Sequence, residues 1–297
     1  MSDIDVIVLD FGGGEMLTRC LRSIAAQTLV PSRVILLDNA SPEPSRSFVP
    51  EGYPIPLVLL AAGTNLGFAG GVNQAMESVR SPLVAWVNND VVLDAAWLET
   101  VRRPFEGDPR LAAAQTVIAS DDGATIDGAG IDISDGTYRQ LHHGDHAGTQ
   151  IAEAWGVSAT AALYRVDALR DAARNYGIVD TRFFAWYEDV ELCARLVERG
   201  WRMRVVPEIL ARHEGSASAA SLGAAGMRLR IRNRYFVNRL HPAVGRRSAL
   251  LREDLRRLLR AFAMFRWRQV LGIKLAVAEG LFSRLASRRA PPGTLRP

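Results

Sequence analysis

The chain has 297 residues, 48% of them apolar and 23% charged, which is ordinary for a soluble globular protein of one large domain or one domain with an appendage. Its net charge of +4 conceals a division: from Arg228 onward 17 arginines and Lys274 face only Glu253, Asp254 and Glu279, a surplus of +15, while residues 1–227 sum to −11. Two cysteines, Cys20 and Cys193, exclude a disulfide framework or a cysteine metal site and fit a reducing cytosol. The acidic start MSDIDVIVLD reads as a strand and not a signal peptide, and no apolar run of about 18 residues is long enough to span a bilayer.

Residues 4–9 (IDVIVL) form a first apolar run, followed by three glycines and by EMLTRCLRSIAAQT, where Leu17, Leu21, Ile24 and Ala25 recur at helical spacing. Residues 33–37 and 57–61 are further strand-like runs, and a helix from about 69 to 79 precedes a fourth run at 83–87. A helix over about 95–105 leads to a fifth, LAAAQTVI at 111–118. Strands alternating with helices predict an α/β fold with a mostly parallel sheet covered on both faces. Residues 121–150, rich in Gly, Asp, His and Thr, read as hairpins or loops, and 151–166 as a mixed segment. Helices near 167–174 and 188–199 follow, then a strand WRMRVVP and a polar loop ARHEGSASAAS. From 222 the chain reads as helical and basic to about 289, ending in the breaker run APPGTLRP.

Ligands of open parallel sheets bind beyond the carboxyl ends of the strands. Polar residues gather at three such ends: LDFGGG at 9–14, LLDNAS at 36–41 and WVNND at 86–90. Between them TNLGFAGGVN (64–73) suits a glycine-rich turn entering a helix. Each alone is also what a turn or a helix cap looks like; together they mark one edge. Glu188 and Asp189 open an amphipathic helix behind the aromatics Phe183, Phe184, Trp186 and Tyr187. Acids suit a first helical turn, but a carboxylate walled by aromatics also acquires the raised pKa of a general base. His213 follows a strand end.

Five blocks in order, DNAS (38–41), NLGFAGGVN (65–73), NND (88–90), FFAWYEDVELCARLVERGW (183–201) and His213, resemble the family 2 glycosyltransferases of GT-A fold. Within that family they look like the rhamnosyltransferase-like enzymes of bacterial cell-surface polysaccharide assembly. The resemblance covers roughly residues 4–240. It implies an inverting transferase that moves a sugar from a nucleotide-diphosphate sugar to a glycan or lipid-linked acceptor. It implies Asp189 as catalytic base with Glu188 beside it, and Asp90 and His213 as ligands of Mg²⁺ or Mn²⁺. Asp38 would read the base, and Asn39, Asn65, Gly67, Asn88 and Asn89 would line the nucleotide-sugar pocket. Asp10 stands where the family has a different strand end: either it takes over a nucleotide contact or the local loop simply differs. Arg232, in RNRYF at 232–236, would touch phosphate. The implied organisation is a GT-A domain over 1–222, nucleotide-sugar half about 1–118 and acceptor/catalytic half about 119–222, with a basic helical extension at 223–297.

In that extension Leu250, Leu251, Leu255, Leu258, Leu259, Phe262 and Phe265 form an apolar stripe among arginines. A basic amphipathic helix suits either packing on the body or peripheral contact with the inner face of the plasma membrane. Nucleic acid is not expected, because no recognised module is present and the acidic body would repel a duplex. A homodimer is left open. The histidines of LHHGDH (141–146) lack helical ligand spacing and read as a solvated or acceptor-facing loop. A sugar nucleotidyltransferase would want a lysine near the first strand, where residues 9–19 have none, and a non-catalytic sugar-binding scaffold would not need Asp90, Asp189 and His213 together.

Overall fold

Alternation within the strands builds two apolar layers on one sheet. In the computed structural model, which describes residues 2–151, 153–214 and 223–282, β1 (Ile4–Asp10) sends Ile4, Val6 and Val8 to one face and Ile7 to the other. β2 (Arg33–Asp38) and β4 (Leu83–Asn88) alternate in the same way, with Val34, Leu36, Leu83 and Ala85 facing one layer and Ile35, Leu37, Val84 and Trp86 the other. Runs apolar on both faces are what a strand covered by helices on each side requires. Helices α1 (Glu15–Ala25) and α3 (Trp97–Glu106) cover the first layer; α2 (Gly67–Met76), α4 (Val166–Ala172) and α5 (Glu188–Glu198) cover the second.

The remaining strands are β3 (Leu57–Ala61), β5 (Val91–Leu93), β6 (Leu111–Ser120), β7 (Ile126–Gly128), β8 (Ile131–Asp132), β9 (Arg139–Gln140), β10 (Ala161–Arg165) and β11 (Arg202–His213). The main sheet has the order β3-β2-β1-β4-β10-β6-β11-β5, with β7 on β6, while β8 and β9 pair separately. Its first four strands are all parallel, as the alternation of strands and helices predicts. The second half is mixed: β10 lies antiparallel between β4 and β6, β11 is parallel to β6, and β5 is antiparallel to β11. A parallel first half and a mixed second half accord with the GT-A sheet that the resemblance implies.

Two boundaries differ from the sequence reading. Residues 161–165 of the mixed segment are a sheet strand. β11 runs on through Ala211–His213, which were expected in a loop, because its partners β6 and β5 extend the ladder to His213. The part of that expected loop after Glu214, 215–221, lies outside the described residues, as do 222 and 283–297 with the breaker run.

The basic segment forms three helices, α6 (Gly223–Leu240), α7 (Arg247–Ala263) and α8 (Trp267–Phe282). Ile231, Tyr235, Phe236 and Val237 of α6 are buried in the same cluster as Val84 and Trp86, so α6 is built into the core. Arg234 of α6 pairs with Asp254 of α7, both almost wholly buried, and Tyr235 donates its hydroxyl to Asp254 at 2.7 Å. Among the described residues no helix is long and apolar enough to cross a membrane.

Candidate active site

A cleft of about 480 Å³ opens at the carboxyl ends of β1 and β4 and runs to the start of α5. Its walls include Asn39, Asn65, Gly67, Asn88, Asn89, Asp90, Glu188, Asp189 and His213, so most of the expected site residues meet at one place. The topology explains the meeting. β4 ends at Asn88, the chain turns at Asn89 and Asp90, and β5 then pairs with β11 so that His213 sits opposite Val91. The amide of Glu214 donates to the carbonyl of Asp90 at 2.8 Å and locks that register.

His213 lies between two carboxylates. Its Nδ1 is 2.9 Å from Asp127 Oδ2, and its Nε2 is 3.2 Å from Asp90 Oδ2. Burial alone would disfavour the imidazolium, but the flanking carboxylates of Asp127 and Asp90 outweigh it and push the His213 pKa up to about 10. The Nε2 contact with Asp90 falls at ion-pair distance without hydrogen-bond geometry. Asp90 Oδ1 and His213 Nε2 are both buried without a hydrogen-bond partner. Buried polar atoms in that state are rare and expensive. A carboxylate oxygen and an imidazole nitrogen side by side, neither of them hydrogen-bonded, fit a hard divalent cation with few protein ligands, which would displace the proton the ring otherwise holds. Asp127 on the other ring nitrogen is the partner that orients a metal-binding histidine. Among the described residues no group of three or more His, Cys, Asp or Glu stands together to hold a metal ion.

Across the cleft, α5 begins at Glu188 after a loop in which Phe184, Trp186 and Tyr187 all hold positive φ, 65–70°. Non-glycine residues in that region cost energy and persist only where surroundings enforce them. The enforcement comes from α6: the amide of Asn233, fully buried, donates to the carbonyls of Phe183 (3.0 Å), Ala185 (2.9 Å) and Trp186 (2.8 Å). Asp189 accepts from the backbone of Val190 at 2.8 Å, and burial raises its pKa. Burial, with the adjacent Asp189 carboxylate, pushes Glu188 up to about 8, and its Oε2 has no partner. A pair of neighbouring buried carboxyls of this kind is suited to taking up a proton.

The glycine-rich block bears on the same loop. Gly67 has φ +69°, and a Cβ there would come within 2.3 Å of the Phe184 carbonyl, so the residue type is dictated twice. Asn39 and Asn65 tie the block down: the Asn39 amide donates to Asn65 Oδ1 and to the Gly67 carbonyl, each at 3.2 Å, while Leu66 N–H donates to Asn39 Oδ1.

Three of the expected site residues are not on the wall of this cleft. Asp38 does not line the cleft; its carboxylate accepts from Ser41 N–H (2.8 Å) and Ser45 N–H (3.0 Å), which outweigh partial burial and hold its pKa below the usual value. Asp10 is buried and does not line the cleft; it accepts from Gly13 N–H, from Ser45 Oγ and from the Asn89 amide, and so fixes Asn89. Arg232 points back into the protein, donating to the carbonyls of Arg182 (3.2 Å) and Phe183 (3.3 Å). Two residues earlier on the helix Arg230 reaches the cleft and lies over the Trp186 ring at 4.7 Å. Sequence reasoning missed Arg230, Asn233 and Asp127, and also Tyr138, Arg139 and Gln140 on the cleft wall. In the 141–146 loop, His142 pairs with Asp145 and His143 bonds the Asp127 carbonyl, and none of its histidines lines the cleft.

Comparison with known proteins converges on one group. Residues 5–172 match the family described as Glycosyl transferase family 2. The chain is 25% identical over 252 residues, 73% of its length and 78% of the relative's, to an N-acetylglucosaminyl-diphospho-decaprenol L-rhamnosyltransferase of Mycobacterium tuberculosis. A mannosyltransferase from Pyrobaculum calidifontis, solved with GDP-Man and Mn²⁺, shares the fold at TM-score 0.59 and 15% identity, over 95% of this chain and 76% of that one. S. aureus TarS shares it at TM-score 0.51 and 16% identity, and this chain covers 77% of its own length but only 39% of that protein's.

Proposed function

Since the chain belongs to glycosyl transferase family 2 and is a glycosyltransferase of GT-A fold, we propose that it moves a sugar, rhamnose by likeness to its relative, from a nucleotide-diphosphate donor to a lipid-linked acceptor with inversion. The observation that carries this reading is the one cleft lined both by Asp90 and His213, each with a buried atom short of a hydrogen bond, and by the buried pair Glu188 and Asp189. Asp90 Oδ1 and His213 Nε2 would hold the divalent metal, Mg²⁺ or Mn²⁺. A metal bound there neutralises the charge that gathers on a departing diphosphate.

The rest of the chemistry falls to the chain. The acceptor hydroxyl must lose a proton as its oxygen attacks the anomeric carbon, and the diphosphate leaves from the opposite side. A single base is enough for such an in-line step, and Asp189, whose pKa burial raises, would serve as that base with Glu188 beside it. Asp127 fixes the ring of His213. The Gly67 turn and the Asn39–Asn65 pair shape the donor side, with Asn88 and Asn89 on its wall. Trp186 and Arg230 supply an aromatic face and a cation for a sugar or phosphate. An acceptor carried on a lipid is read from the relative's name, decaprenol-linked in that protein. The buried free thiols Cys20 and Cys193 accord with a reducing cytosolic compartment.

The reading is tested by thermal shift with dTDP- and UDP-sugars, with and without Mn²⁺, followed by transfer assays with Asp189→Asn. Metal-dependent stabilisation by a nucleotide sugar is expected, with transfer abolished in the variant and donor binding kept. No stabilisation by any of these nucleotide sugars, with or without Mn²⁺, would overturn it.

A further inference from the structure

The hairpin of α7 and α8 is fixed to the body along one face only. Leu250, Asp254 and Ala261 of α7 and Ile273, Ala276 and Gly280 of α8 are buried. The Gly280 contact is close: a Cβ there would lie 2.8 Å from Tyr235 Cβ and 2.9 Å from the Arg232 carbonyl of α6. The apolar stripe read from the sequence is thereby divided. Leu250 goes inward, while Leu251, Leu255, Leu259 and Phe262 stand in solvent, Leu259 at 60% exposure. At about 100° per residue those four fall within an arc of about 80°.

α8 repeats the arrangement with a stripe that the sequence reading did not contain. Trp267, Leu271, Leu275 and Phe282 are exposed and also share an arc of about 80°. The two stripes meet at the tip, where the Phe262 and Trp267 rings lie edge to face at 5.0 Å and Phe265, 78% exposed, stands beside Trp267 at 6.4 Å. An apolar surface of this extent on a soluble chain marks an interaction site.

Charge decides what it meets. Arg252, Arg256 and Arg260 form the next stripe round α7, and Arg266, Arg268 and Lys274 flank the tip and α8, all exposed. Among the described residues none of these six pairs with a carboxylate. The acids of the segment are already engaged: Glu253 and Asp254 with Arg234 and Arg257, and Glu279 with Arg228. A two-fold contact between copies would repeat the same patch on both sides and set arginine against arginine. An anionic lipid surface offers what both stripes require, an acyl boundary for the leucines and aromatics and phosphates for the arginines.

We propose that the α7–α8 hairpin is a monotopic membrane-docking element, lying on anionic lipid with Leu255, Leu259, Phe262, Phe265, Trp267 and Leu271 immersed and the α7 arginines on headgroup phosphates. Its use, holding the cleft near a lipid-linked acceptor, rests on the function proposed above; the surface itself does not.

The test is co-sedimentation of the full chain with phosphatidylcholine vesicles, with and without phosphatidylglycerol. Three proteins are compared: the parent, Leu255→Ser/Leu259→Ser/Phe265→Ser, and Arg252→Gln/Arg256→Gln/Arg260→Gln. The parent is expected to bind the anionic vesicles, the apolar triple variant at least 10-fold more weakly, and the arginine triple variant to lose the preference for anionic lipid. All the substituted side chains are exposed, so melting temperatures equal to the parent's are expected and serve as the folding control. Absence of binding to anionic vesicles, or equal binding by either variant, overturns the proposal. So does a dimer in sedimentation equilibrium that the apolar substitutions dissociate, since the face would then belong to a second copy. Vesicle binding needs no donor. Loss of metal-dependent nucleotide-sugar stabilisation with vesicle binding intact would therefore strike the transferase reading alone.

Discussion

Asn233 links the basic helices to the chemistry, and the cost of removing it follows from its bonds. Its amide carries two protons shared among the carbonyls of Phe183, Ala185 and Trp186, and its Oδ1 accepts from Arg232 Nε (2.9 Å) and Nη2 (2.7 Å). That is the equivalent of about three or four buried hydrogen bonds at about 1 kcal/mol net each, so Asn233→Ala should cost about 2–4 kcal/mol. With an unfolding entropy of about 2.1 cal/mol/K per residue, a chain of this length should melt about 3–6 °C lower. The loop it holds carries three non-glycine residues at positive φ, which cost of order 1–3 kcal/mol each to maintain. Freed of the amide, the loop should relax and displace the start of α5, with kcat falling about 10- to 100-fold. Asp90 and His213 belong to other elements, so Mn²⁺-dependent donor binding should survive. Asn233→Asp is the sharper variant: it retains the oxygen that faces Arg232 but turns a second acceptor towards three carbonyls. Scanning calorimetry and steady-state turnover read both effects. If Asn233→Asp melts and turns over like the parent, the loop is not held by this amide and the reasoning fails.

Asp189→Asn should lower turnover by about 10²–10⁴-fold, the range of general base catalysis, with nucleotide-sugar stabilisation unchanged. Asp90→Ala and His213→Ala should each remove the Mn²⁺ dependence of nucleotide binding in a thermal-shift titration; affinity equal with and without metal in the parent would contradict their role. Asp127→Ala should weaken Mn²⁺ binding about 10- to 100-fold by freeing the His213 ring, with a correctly folded protein by circular dichroism. Glu188 is held protonated by burial up to about pH 8, while in the unfolded chain it ionises near 4.5. Its contribution to stability is therefore fully present below about 4.5 and is lost as pH rises to about 8. Glu188→Gln, neutral throughout, should be more stable relative to the parent at pH 9 than at pH 4 in urea denaturation; a constant difference would refute the assignment.

What the sequence disclosed and what it concealed divide on physical grounds. β1, β2 and β4 were legible because strands buried on both faces are uninterrupted apolar runs, and the break at Asn88–Asp90 was legible because polarity changes where the strand leaves the core. β10 was obscure: five residues pass straight into α4 with no turn signal between them. β11 was cut short because its pairing with β6 slips between Val206 and Ile209, which destroys the alternation that marks a strand. Within the site, order and spacing located Asp90, Glu188, Asp189 and His213, whose positions follow from strand ends and a helix start. Asp127 was missed because its segment has no periodicity, and only the β6–β7 pairing brings it to His213. Arg230 and Arg232 show a stricter limit. Residues two apart on a helix project about 200° apart, so a motif fixes the helix and leaves open which arginine meets the ligand. That depends on what anchors the helix, and here the anchor is Asn233, next in the chain to Arg232, bound to the loop before α5. The same logic separates Leu250 from Leu251: adjacent leucines on α7 go to opposite environments because Asp254, one turn on, is tied to Arg234 and Tyr235. Polar anchors on the buried face thus determine which apolar side chains remain for a partner, and a hydrophobic pattern without them counts both sets as one.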